Sequence, residues 1–67
     1  METIRVTVEN LTEVIRPGDI LEGAEEMGRV LSVRPTRDGY DNARIVWEGG
    51  RDILGLPQTL RIQRANA

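Results

Sequence analysis

No apolar run in this chain is longer than three residues, and turn formers separate nearly all of them. Pro17-Gly18-Asp19 precedes Ile20-Leu21, and Gly28 precedes Val30, Leu31 and Val33. Asp38-Gly39 precedes Ala43, Ile45 and Trp47, Glu48-Gly49-Gly50 precedes residues 51–56, and Leu56-Pro57 precedes Leu60 and Ile62. An independently stable helix needs a sustained apolar stripe over about twelve residues or more. Short apolar runs between Gly-centred turns specify strands instead. The expected fold is all-β, a small barrel of five or six short, strongly bent antiparallel strands.

Residues 3–9 hold the cleanest strand pattern, with Ile4, Val6 and Val8 alternating with Arg5, Thr7 and Glu9. Asn10 begins a connection to the short run Val14-Ile15, which Pro17-Gly18 ends. Residues 22–28 read as an acidic loop and as the one place where a helical turn fits. Residues 28–34 read as a bulged or curved strand because Val30, Leu31 and Val33 break strict alternation. Residues 35–42 make a long hairpin tip and residues 43–48 its return strand. Gly49-Gly50 closes a tight hairpin into residues 51–56. A 3-10 turn is expected at 56–59, then a last strand at 60–63. The predicted core is Ile4, Val6, Val8, Ile20, Val30, Val33, Ile45, Trp47, Leu60 and Ile62.

Sixty-seven residues make a single domain, 1–67, with 1–9 as an additional N-terminal strand and 65–67 as a tail. A chain of this size buries only about 60% of its unfolded surface. It has no Cys and therefore no disulfide, so it depends on tight packing, sheet closure or a partner, and homo-oligomer formation is one expectation. Glu2 and Arg5 interrupt the first apolar residues, which argues against a signal peptide and leaves the cytoplasm as the expected location. No membrane association is expected, because no segment is apolar enough to span a bilayer.

The chemistry of an enzyme is hard to assemble from this composition. There is no His and no Cys, so the usual general base near neutral pH and the thiolate nucleophile are both missing. No zinc site is expected without them. Asp38-Gly-Tyr-Asp41-Asn42 lacks the full calcium-loop ladder and its terminal Glu. Gly49, Gly50 and Gly55 do not lead into a helix, so no phosphate-cradling fingerprint is present. We expect no catalytic residues, no cofactor and no metal.

All nine basic residues are Arg. A high-GC genome and selection for guanidinium forks both produce this bias. Residues 1–28 hold two Arg and seven acids, a net of −5, while residues 29–67 hold seven Arg and four acids, a net of +3. The basic half is the candidate binding region. Arg34 and Arg37 lie at one end of the long hairpin, Arg44 on its return strand, and Arg61 and Arg64 in and after the last strand. Tyr40 sits at the hairpin tip. Trp47 alternates with core positions, and both a packing role and an exposed platform are open for it. Asp38 and Asp41 interleave with these Arg residues and blunt their field.

Pro17-Gly18-Asp19 resembles the first turn of KOW and related SH3-like domains, and Gly28-Arg-Val30-Leu-Ser-Val33 resembles their second strand. Val46-Trp47-Glu48-Gly49-Gly50 followed by Pro57 is similar to the Trp-x-x-Gly hairpin of short uncharacterised bacterial domains and of some Tudor-like barrels. The resemblance covers residues 14–64 and implies an SH3-like barrel used for binding. A Tudor-like aromatic cage needs several aromatics, and this chain has two.

The functional expectation is a non-catalytic binding or adaptor module of a bacterium or phage, docking on a protein partner or on itself. The alternatives are a nucleic-acid-binding barrel that grips DNA or RNA with the Arg-rich half, and an acidic inhibitor that mimics a nucleic acid with residues 9–26.

Overall fold

The computed structural model describes residues 1–37 and 40–64. It is predominantly β, with strands β1 (Glu2–Val6), β2 (Ile20–Leu21), β3 (Val30–Pro35), β4 (Asn42–Trp47), β5 (Gly50–Gly55) and β6 (Gln58–Gln63). A single α-helical turn, α1 (Leu11–Val14), and a 3-10 turn at Glu25–Met27 complete the described elements. Asp38 and Gly39 of the expected hairpin tip and the expected tail 65–67 lie outside the described residues.

The strands form two three-stranded antiparallel sheets, ordered β1-β6-β2 and β3-β4-β5. They meet at two corners. Gly18 N–H donates to the Val30 carbonyl and Val30 N–H donates to the Asp19 carbonyl, each at 2.8 Å. Leu56 N–H donates to the Asp41 carbonyl at 2.8 Å. The expected barrel closure is not a continuous ladder, because among the described residues β5 has β4 on one side and no strand on the other.

Between the sheets lies one apolar core. Val6, Leu11, Ile15, Val30, Ala43, Ile45 and Ile62 are essentially inaccessible, with Leu21, Trp47, Leu56 and Leu60 close behind. Burial of a single aliphatic side chain of this size is worth about 1.5–3 kcal/mol. Ile4, Val8 and Val33, which the alternation places in the core, are only partly buried against it, and so is Ile20.

The first strand is shorter than its alternation suggests. Thr7 N–H donates to Asn10 Oδ1 at 2.8 Å, Asn10 N–H donates to Thr7 Oγ1 at 3.3 Å, and Asn10 Nδ2 donates to the Arg5 carbonyl at 3.0 Å. These local side-chain bonds compete with the ladder and end β1 at Val6. The chain then makes α1, a helical turn where the sequence reading has a plain connection. Its spacing sets Leu11 and Ile15 on one face, four residues apart, and buries both.

The expected bulge is present, with a register shift between Val30 and Ser32 that leaves Leu31 about half exposed. Gly28 precedes it at φ +80°, and a Cβ there would stand 2.7 Å from Glu48 Oε1, the atom that accepts Arg29 N–H at 2.8 Å. At Leu56–Pro57 the expected 3-10 turn gives way to a bend with a cis peptide bond, and β6 already begins at Gln58.

Candidate binding face

Strand alternation sorts β3-β4-β5 into an inner and an outer face. Ala43, Ile45 and Trp47 point inward and are buried. Arg44 and Val46 therefore point outward, and the register completes the outer face. Arg34 stands opposite Arg44, Ile53 opposite Arg44 on the other side, and Arg51 opposite Val46. The face thus carries a row Arg34–Arg44–Ile53 beside a row Ser32–Val46–Arg51.

Two guanidinium-bearing residues directly across an antiparallel ladder repel one another. The three ion pairs among the described residues are Arg61–Glu22, Arg64–Glu2 and Arg64–Asp19, so no described carboxylate stands within 4.0 Å of Arg34, Arg37, Arg44 or Arg51. Asp38 lies outside the described residues. Asp41 lines a different depression, with Arg5, Thr7, Val8, Glu9 and Pro57. The face is shallow and basic. One depression of about 590 Å³ is bounded by Arg34, Thr36, Arg37, Arg44 and Ile53, and the next by Arg44, Arg51, Asp52 and Ile53. Ile53 is 47% exposed and gives the basic face an apolar patch.

The other sequence candidates sit elsewhere. Arg61, on β6, pairs with Glu22 at 3.2 Å, and both side chains are well exposed. Arg64 bolts three segments together. Its Nη1 donates to Asp19 Oδ2 at 2.6 Å and to the Val14 carbonyl at 2.5 Å, and its Nε donates to Glu2 Oε2 at 2.7 Å. These carboxylates raise the Arg64 pKa above its ordinary value, the Glu2 hydrogen bond contributing most. Tyr40 is 74% exposed. Trp47 is a core residue at 6% exposure, and its Nε1–H is the one buried side-chain polar atom among the described residues with no acceptor from the chain.

The structure thus brings Arg34, Arg37 and Arg44 together and leaves Arg61 and Arg64 apart from them. It adds Arg51 and Ile53, which the sequence reading left out. A signal for both was present. The turn is Glu48-Gly49, one residue before the expected Gly49-Gly50, so Trp47 pairs with Gly50, and counting outward from that pair sets Arg51 beside Val46 and Ile53 beside Arg44.

No three Asp or Glu side chains among the described residues converge on a point that would hold a metal ion. No helix among the described residues is long and apolar enough to cross a membrane. Comparison with family models, curated proteins and solved structures finds no match to this chain.

Proposed function

We propose that the chain is a non-catalytic binding module that docks on an acidic surface of a protein partner through the outer face of β3-β4-β5. One observation carries the reading. Arg34 and Arg44 face each other across the ladder with no described carboxylate within ion-pairing distance. Such a pair costs the free chain stability and is offset when an anionic partner arrives. An exposed apolar residue amid Arg side chains also matches protein interfaces, where Arg is enriched and charge sets specificity. The strand pairing supports the SH3-like reading of the fold, with β5 in one sheet running directly into β6 in the other. The role is that of a cytoplasmic accessory protein of a bacterium or phage. A protein partner is favoured over a nucleic acid because the whole chain is net acidic, at −2.

Replacing Arg44 separates function from fold. In Arg44→Gln the like-charge contact is lost, so chemical denaturation is expected to show unchanged stability or a gain of about 0.2–1 kcal/mol. Binding of an oligoglutamate peptide, measured by calorimetry at low salt, is expected to weaken by a few fold and to fade further as salt rises. Tight duplex or single-stranded oligonucleotide binding at about 0.15 M salt, lost in Arg44→Gln, would replace the protein reading with the nucleic-acid one.

A further inference from the structure

The basic face ends at β5, where the hydrogen-bond ladder also stops. In a two-residue hairpin the closing pair, here Trp47 and Gly50, is hydrogen-bonded. Alternation then directs the backbone groups of Gly50, Asp52 and Leu54 toward β4 and those of Arg51, Ile53 and Gly55 outward. The chain covers two of these outward groups with its own side chains. Ile53 N–H donates to Asp52 Oδ1 at 2.7 Å, and the Gly55 carbonyl accepts from Gln58 Nε2 at 2.7 Å. Both contacts are exposed, so they occupy the edge without burying it.

β5 also divides two depressions, and its Asp52 and Ile53 line both of them. On the outer side are Arg44 and Arg51. On the inner side a mostly apolar cavity of about 230 Å³ lies between β5 and the segment Leu21–Ala24, with Trp47, Leu54 and Leu60 in its wall. Trp47 stands in that wall, and its indole N–H is buried without an acceptor from the chain among the described residues.

We infer that β5 accepts a strand from the partner protein, and that this strand alternates acidic and apolar residues. The inference rests on the reading of the basic face as the docking surface. Successive side chains of an added strand point to opposite faces of the sheet. One set then lies over Arg44 and Arg51 and is acidic. The other set enters the cavity beside Leu54 and Trp47 and is apolar. The entering main chain takes over Ile53 N–H from Asp52.

Trp47 is the single tryptophan, so its emission reports events at the cavity. Four peptides matched in length to β5 decide the matter: one alternating Ile and Glu, the same peptide N-methylated on its edge-facing amides, one with the same residues in two blocks, and one alternating Ile and Lys, which is expected not to bind. The alternating acidic peptide is expected to bind, to change Trp47 emission, and to bind roughly fivefold more weakly to Arg51→Gln. Asp52→Ala, which uncovers the Ile53 N–H, is expected to bind it more tightly. N-methylation of the peptide's edge-facing amides is expected to abolish binding. Equal binding of the block peptide with no change in Trp47 emission would overturn strand addition and leave the basic-face reading intact. Equal binding of the N-methylated peptide, or no tighter binding by Asp52→Ala, would also overturn strand addition. Failure of every acidic peptide to bind would overturn both readings.

Discussion

Deletion of residues 1–9 is expected to unfold the domain. β1 pairs with the central strand β6 over five residues, from Glu2↔Ile62 to Val6↔Gln58, and Val6 is fully buried. The Thr7–Asn10 turn that follows positions α1, whose Leu11 is also fully buried. A chain of this length has a total stability of roughly 3–10 kcal/mol. Loss of Val6 alone removes about 1.5–3 kcal/mol of burial, before the lost ladder and the exposed flank of β6 are counted. The truncated chain is expected to lose its far-UV circular dichroism and its cooperative denaturation transition. A truncated chain that stays folded and becomes monomeric would instead make β1 an exchange strand between copies.

Arg64→Ala is expected to cost about 3 kcal/mol of unfolding free energy in chemical denaturation. The magnitude comes from Asp19, which is 2% exposed and loses the guanidinium that neutralises it. Removing one partner of a buried pair typically costs about 3–5 kcal/mol. The Arg16 N–H that Asp19 Oδ2 also accepts, at 2.9 Å, and the partial exposure of Arg64 place this case at the low end. Arg64→Lys is expected to restore only part of the loss, because an ammonium cannot reproduce the fork that serves Asp19, Glu2 and the Val14 carbonyl together. A cost below about 1 kcal/mol would make the contact an ordinary surface pair. The same bolt responds to acid. Its hydrogen bond to Arg64 is the main force holding the Glu2 carboxyl below the usual range, so the contact is fully present above that range and is lost as pH falls through the lowered value.

The all-β character was legible because alternation is a local signal. Ala43, Ile45 and Trp47 on one strand and Leu60 and Ile62 on another share an inner face in the sequence pattern and in the fold. Leu11 and Ile15 escaped because a pair four residues apart in a single turn is too short to register as helical periodicity. Leu56 escaped because the following Pro57 reads as a turn, while the chain buries Leu56 beside it. The end of β1 depended on Thr7 and Asn10 side chains satisfying local backbone groups, a competition that residue propensity does not resolve.

The candidate site was legible only in part, for a topological reason. Position along the chain does not say which Arg residues share a sheet. Arg44 meets Arg34 through the long hairpin, a contact the turn formers announce. Arg64 meets Glu2 from the far end of the sequence, and β6 meets β1 the same way. Those long-range pairings removed Arg64 from the basic cluster and placed Asp19 beneath it. Asp41, expected to blunt the Arg field, faces another depression because its carbonyl is held at the corner by Leu56 N–H.

Docking of an acidic partner on the outer face of β3-β4-β5 has a residue-by-residue readout. Amide chemical-shift mapping during titration with an oligoglutamate peptide tests it most directly. The largest shifts are expected on Arg34, Arg44, Arg51 and Ile53, which share that face by register. Shifts centred on Arg61 and Arg64, or no shifts on β3-β4-β5 while the peptide binds, would contradict it.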